Sequence, residues 1–341
     1  MAGPAPTFPT TRRAALRVLG ALGAAALAGG AAQARSVAHD SAPEQPALRL
    51  LAHGSLPGGT VFKDTLVGGL SGLAYDAQTQ LWYALSDDRS RHAPARCYVL
   101  RLPPPAAGKP LLPEWVDVIT LRGADGRPFA RQDIDPEALA LRQGAAGGRV
   151  TLLWASEGNI RARVAPALYE SALDGRLLRE LTLPAHLREI GQLGRGPRNN
   201  QTLEGLALTP DGRHVWAAME NALAQDQESR APGAEPGPCR FTRIELASGR
   251  ADREVAYLPE PQPFGPAIPR GPAESGVADI LLLNERRLWV LERAWSLTTG
   301  VSIRLYEADL QGASDTLGEA ALRPGRYRPA AKRLLLDLKH S

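Results

Sequence analysis

Four stretches of this chain carry the same order of apolar and polar positions. They are GGLSGLAYDAQTQLWYALSDD (68–88), DPEALALRQGAAGGRVTLLWASEGN (135–159), NNQTLEGLALTPDGRHVWAAMEN (199–221) and SGVADILLLNERRLWVLER (275–293). Each reads as a short apolar strand, a polar turn, and a second apolar strand with one tryptophan. The turns, Asp76-Ala77-Gln78-Thr79, Gly147-Gly148, Pro210-Asp211-Gly212 and Asn284-Glu285-Arg286, use residues that permit tight reversals, so each stretch predicts a β-hairpin. Trp82, Trp154, Trp216 and Trp289 are expected to pack between sheets, because large rings bury much apolar area.

A further strand pattern follows each hairpin: CYVLRL (97–102), ALYESAL (167–173), RFTRIEL (240–246) and SIRLYEADL (302–310). From Ser71 to Glu137 to Glu204 to Asp279 the repeat steps are 66, 67 and 75 residues, long against a propeller blade of about 40–50. Radial repetition of four-stranded sheets still fits best. The fold class expected is all-β, a β-propeller with an acidic central channel; a β-sandwich is the competitor. Segments 46–66, 111–122, 177–183, 251–258 and 330–339 are assigned to two more degenerate blades, which makes six. The Pro/Gly-rich stretches 103–113, 191–198, 225–238 and 259–273 are loops, and 225–238 is expected to be loosely packed.

The first thirty-four residues stand apart. Thr11-Arg12-Arg13-Ala14-Ala15-Leu16 is a twin-arginine start, followed by a weakly apolar run and Ala32-Gln33-Ala34, an A-x-A cleavage signal. Residues 1–34 are therefore expected to be a twin-arginine signal peptide, 35–47 a flexible segment, and 48–340 the propeller domain. The apolar run is shorter than the roughly 20 residues that span a bilayer, so no stable membrane insertion is expected after cleavage. The expected location is periplasmic or secreted. The leader also explains the charge: it holds Arg12, Arg13 and Arg17 and no acid, so the 40 basic residues fall to 37 against 36 acidic ones. Nothing in that balance points to nucleic acid. Cys97 and Cys239 are the two cysteines, able to form one disulfide in an oxidising compartment if the fold brings them together.

Acids recur at the ends of the paired strands. The positions are Ser71 and Asp87-Asp88, Glu137 and Glu157, Glu204 and Glu220, Asp279 and Glu292. In a propeller, one register in successive blades gathers such residues around one axis. Like charges about 4 Å apart repel by roughly 4 kcal/mol at an effective dielectric near 20; a cation, raised pKa values or arginine pairing relieves this. Oxygen-rich clusters suit Ca²⁺. Arg89 and Arg293, with Asn200 and Asn221, are candidates to bind an anionic substrate. Salt bridges closing the centre with no ligand are the bland alternative.

At these residues the chain resembles the phytase-like family, "esterase-like activity of phytase", of exported bacterial proteins. The resemblance rests on GGLSGLAYD, LWYALSDD, DPEALAL, NNQTLEGLALTPDG, VWAAMEN and GVADILLLNERRLWVLER, and covers roughly residues 48–340. It implies a propeller that hydrolyses phosphate or carboxylate esters with calcium, through acidic channel residues and an activated water. The residues expected to ligate metal are Glu137, Glu157, Glu204 and Asp279, with Glu137, Glu204, Glu220 and Glu292 as catalytic acids.

The chain has no G-x-S-x-G, no H-E-x-x-H and no P-loop. The reading is an exported, Ca²⁺-assisted ester hydrolase acting on a small anionic ester, as a monomer. A non-catalytic periplasmic binding or scaffold propeller and a lactonase-type propeller enzyme are the alternatives.

Overall fold

The computed structural model describes residue 48 and residues 50–144, 148–227, 236–261, 273–297 and 299–338. The leader, the 35–47 segment and residues 228–235 and 262–272 of the later Pro/Gly-rich stretches lie outside the described residues.

A two-stranded ribbon, β1 (Val61–Phe62) and β2 (Thr65–Leu66), precedes four antiparallel sheets of four strands each. The first contains β3 (Leu70–Asp76), β4 (Leu81–Ser86), β5 (Arg96–Arg101) and β6 (Glu114–Thr120). The second contains β7 (Pro136–Gly144), β8 (Gly148–Ser156), β9 (Ala167–Ala172) and β10 (Leu177–Leu181). The third contains β11 (Leu203–Leu208), β12 (His214–Met219), β13 (Cys239–Glu245) and β14 (Arg250–Tyr257). The fourth contains β15 (Ala273–Asn284), β16 (Arg287–Ser296), β17 (Gly300–Asp309) and β18 (Ala331–Asp337). Strands are ordered in each sheet as they run in the chain, and the innermost strands neighbour one another in sequence: β3 with β7, β7 with β11, β11 with β15. The molecule is an all-β propeller. Its one α-helix among the described residues, α1 (Ala185–Arg188), has four residues, and no described helix is long and apolar enough to cross a membrane.

The expected six blades become four sheets among the described residues. The segments assigned to extra blades at 111–122, 177–183, 251–258 and 330–339 supply the outermost strands β6, β10, β14 and β18. Their physical role is the same as any outer strand: each completes the hydrogen-bond ladder of the sheet that its own hairpin began.

Blade faces meet in two cores. Leu85, Cys97 and Val99 of the first sheet pack with Leu139, Leu152 and Trp154 of the second. A larger cluster joins the second, third and fourth sheets through Leu153, Leu168, Trp216, Phe241, Ile280 and Val290. Trp154 and Trp216 are fully buried, as expected of inter-blade packing; burying a large side chain contributes roughly 1.5–3 kcal/mol. Trp82 and Trp289 sit instead on the two terminal faces. There Leu56 and Phe62 cover the first sheet, and Leu48 packs on the fourth. Cys97 and Cys239 are free, buried and in different clusters, so the possible disulfide does not form.

One backbone feature repeats in every blade. The innermost strand has a register shift between Leu70 and Gly72, Pro136 and Ala138, Leu203 and Gly205, and Val277 and Asp279. The skipped residues are Ser71, Glu137, Glu204 and Ala278. A β-bulge of this kind bends the strand and re-aims a side chain. The residue after the bulge must be small where the next blade closes in. A Cβ on Gly72 would stand 2.8 Å from the Leu139 nitrogen, and one on Gly205 2.9 Å from that of Ile280. The fourth blade places Asp279 there.

Candidate functional site

The bulges build the centre of the molecule. Just past the end of the second strand of the first three hairpins, the backbone N–H donates back across the sheet: Asp87 to Gly69 at 2.7 Å, Glu157 to Asp135 at 2.9 Å, and Glu220 to Thr202. In the fourth hairpin the pair at this level is Gly276 with Arg293. The structurally equivalent positions are therefore Asp87, Glu157, Glu220 and Arg293 on the second strands, and Ser71, Glu137, Glu204 and Ala278 at the bulges.

Two groups of three carboxylates result, each with ligand oxygens within 4.8 Å of one another: Asp135, Glu137 and Glu157, then Glu157, Glu204 and Glu220. Glu157 belongs to both. Its carboxylate accepts from the Thr202 backbone N–H at 2.7 Å, and the Thr202 hydroxyl donates to the Glu157 carbonyl at 3.0 Å, so the second and third blades lock it in place. Two full negative charges 4.8 Å apart repel by about 3.5 kcal/mol at an effective dielectric near 20. Burial, reinforced by the charge of Asp87 and opposed by Arg89, pushes Asp135 up to about 6. Burial, then Glu204, Asp135, Glu157 and Asp87, raises Glu137 well above the ordinary carboxylate range.

Arg89 and Arg293 reach these acids. Arg89, on the loop after β4, pairs with Asp135 and donates to the Asn200 side-chain oxygen. That loop is shaped by Asp88, which accepts from the backbone N–H of Arg91 at 2.8 Å and pairs with Arg96 at 2.9 Å. Burial alone would raise Asp88, but Arg96 and the backbone donors hold it below its ordinary value. Arg293 stands 3.5 Å from Glu220. Asn221 donates to the Ser275 carbonyl at 3.1 Å, joining the third blade to the fourth.

Of the residues picked out from the sequence, Glu137, Glu157, Glu204 and Glu220 come together, with Arg89, Arg293 and Asn200 beside them. Asp279 and Glu292 lie outside both groups of three. Each stands one residue away from the position the register makes equivalent: Ala278 takes the bulge and Arg293 the strand end. Glu292 pairs with Val277 across the sheet and accepts from the Tyr257 hydroxyl at 2.6 Å, Lys332 at 2.7 Å and the Glu260 backbone N–H at 2.8 Å. Asp279 accepts from the Ile280 N–H at 2.8 Å, and burial pushes it up to about 7. Asp135 is the residue that sequence reasoning did not select. Its signal was present in Asp135-Pro136, since a residue before proline is held extended and here heads the strand two positions before Glu137.

The donor set fits a hard cation. It consists of oxygen alone, with no His or Cys, and Ca²⁺ takes 6–8 oxygens. Asp135 is 1% exposed, and its Oδ1 has no hydrogen-bond donor among the described residues, which leaves a buried lone pair for such an ion.

A repeated sheet with a carboxylate hub defines the class, a propeller with an acidic centre. Residues 65–341 match the family model "Phytase-like: Esterase-like activity of phytase", and the chain belongs to that family. No curated protein matches the chain. Among solved structures it is similar to hydrazine synthase of Kuenenia stuttgartiensis (12% identity, TM-score 0.36, 70% of this chain and 51% of that one). It is also similar to the Dos1 propeller (7%, 0.40, 81% and 62%) and the periplasmic gluconolactonase of Pseudomonas aeruginosa (12%, 0.32, 83% and 94%). The chain thus spans less than two thirds of the first two of these structures. At such TM-scores the likenesses do not bear on activity.

Proposed function

We propose that this protein is an exported hydrolase that uses a divalent cation, Ca²⁺ by the donor set, to cleave a phosphate or carboxylate ester of a small anionic molecule. The observation that carries the proposal is the pair of carboxylate groups sharing Glu157, with an arginine beside each. Asp135, Glu157, Glu204 and Glu220 would hold the cation, which supplies Lewis-acid polarisation and lowers the pKa of bound water. Glu137 is the acid best suited to hold and pass a proton, because burial and the neighbouring carboxylates favour its neutral form. Arg89 and Arg293 would face the anionic group, where a guanidinium offers paired donors, with Asn200 and Asn221 at their sides. Asp279 and Glu292 have no part in this reading. Export rests on Arg12-Arg13 and the Ala32-Gln33-Ala34 signal.

The arginine pairs also favour a second reading, a non-catalytic propeller whose central charges satisfy one another. Chelator-treated protein titrated calorimetrically with Ca²⁺, then assayed on aryl phosphates and aryl esters, separates the two. Ca²⁺ binding with metal-dependent hydrolysis, both lost in Glu157→Gln, is the expected result. Protein that binds no Ca²⁺ and cleaves neither substrate class is the scaffold.

A further inference from the structure

We propose that Arg89 and Arg293 act as resident cations, one for each carboxylate group of three, and that a divalent cation displaces them and thereby makes them available to an anion. The inference rests on the cation reading above and adds a regulation to it. Both arginines come from blades that contribute no member to either group: Arg89 from the loop of the first blade, Arg293 from the fourth. Each meets one group at its outer member, Arg89 at Asp135 and Arg293 at Glu220.

Exposure is divided the same way. The side chains of Asp135 and Glu220 are 1% and 6% exposed, whereas those of Arg89 and Arg293 are both 23% exposed. The carboxylates are thus fixed by the sheet, and the guanidiniums reach in from the solvent side on long stems that can keep their charge in water. The Arg293 contact is long at 3.5 Å, and the second partner of Arg89, the Asn200 oxygen, is neutral. Both reach a cluster that holds the carboxylates of Asp135, Glu137, Glu157, Glu204 and Glu220. A divalent ion seated among these oxygens at about 2.3–2.6 Å would repel a guanidinium on the same carboxylate. Once released, Arg89 and Arg293 remain tethered at the rim with their donors unspent. An anion would then bind more tightly to the cation-loaded protein, and by reciprocity the anion would tighten the cation by the same factor.

The test is calorimetric titration of chelator-treated, full-length protein with Ca²⁺, comparing wild type, Arg89→Ala, Arg293→Ala and the charge-retaining Arg89→Lys. Loss of the resident charge is expected to tighten Ca²⁺ binding by about tenfold in each alanine variant, with Arg89→Lys close to wild type. Sulfate, as the anion probe, is expected to bind wild type more tightly with Ca²⁺ present, an effect lost in the double alanine variant. Near-UV circular dichroism confirms folding, and Arg293→Ala carries the same readout if Arg89→Ala does not fold. Alanine variants that bind Ca²⁺ no more tightly than a Ca²⁺-binding wild type overturn the displacement. Failure of every protein to bind Ca²⁺ overturns the cation reading itself. Ca²⁺ binding that appears only in the alanine variants supports displacement in its strongest form.

Discussion

Gly276 pairs with Arg293 across the fourth hairpin, at the level where the other three hairpins present Asp87, Glu157 and Glu220. One blade thus brings a positive charge to a ring of acids, and Arg293 reaches Glu220 at 3.5 Å. Reversing that charge should expose its role. Arg293→Glu is expected to lower stability at pH 8 by on the order of 2–4 kcal/mol, the scale of a close like-charge contact. At pH 5 most of the loss should return. Urea denaturation at the two pH values measures both, and an equal loss at each would mean that packing, not charge, is what Arg293 supplies.

Glu157 is common to both carboxylate groups, whereas Glu292 belongs to neither. Glu157→Gln should therefore abolish or strongly weaken Ca²⁺ binding. Glu292→Gln should leave Ca²⁺ affinity unchanged but lower the melting temperature, because Lys332 loses the carboxylate it holds at 2.7 Å and is left with Glu260 at 3.1 Å; a hydrogen bond to a charged group contributes about 1.5–3 kcal/mol. Titration calorimetry beside thermal melts separates the two residues.

The raised carboxyls fix the sign of the pH dependence. Asp135 at about 6, Asp279 at about 7 and Glu137 higher than its ordinary value all bind protons more tightly when folded. The contribution of Asp135 and Asp279 is intact below the unfolded carboxylate range of about 4 and is lost as pH rises through 6 to 7, and Glu137 acts in the same direction. Cation-free protein should melt at a lower temperature at pH 8 than at pH 5. Asp279→Asn should recover part of that loss, on the order of 1–3 kcal/mol at about 1.4 kcal/mol per pKa unit, without altering Ca²⁺ affinity. A variant no more stable than wild type at pH 8 would show that Asp279 is well solvated.

Gly205 tests the close approach of the third and fourth blades. An added Cβ would stand 2.9 Å from the Ile280 nitrogen and 3.0 Å from its Cγ1. Gly205→Ala should cost about 1–3 kcal/mol, as overpacking does. Gly212→Ala, whose Cβ would meet nothing within 4 Å, isolates the separate cost of its φ of +66°. Chemical denaturation of both variants gives the comparison.

Cys97 and Cys239 offer a check on the fold alone. Both thiols are buried, and burial raises the pKa of each. Native protein should be inert to a thiol reagent at pH 8, and denatured, unreduced protein should release two equivalents. Zero equivalents on denaturation would mean that they pair.

Repetition was legible because it is local. The alternation around Trp82, Trp154, Trp216 and Trp289, with turn residues between the runs, determined four hairpins and an all-β propeller. Glu137, Glu157, Glu204 and Glu220 could be picked out because each flanks an apolar run of a hairpin. What sequence alone could not decide was which residue of the fourth repeat joins them. Side chains alternate faces every residue, so a bulge of one residue exchanges neighbours without disturbing the apolar pattern; pairing across the sheet put Ala278 and Arg293 where Asp279 and Glu292 seemed to belong. The segments given to extra blades were misplaced similarly, since the pattern of a strand does not say whether it starts a sheet or ends one. Arg89 meets Asp135 and Asn200 only because three blades converge, and that meeting, made by long-range packing, was for the tertiary structure to decide.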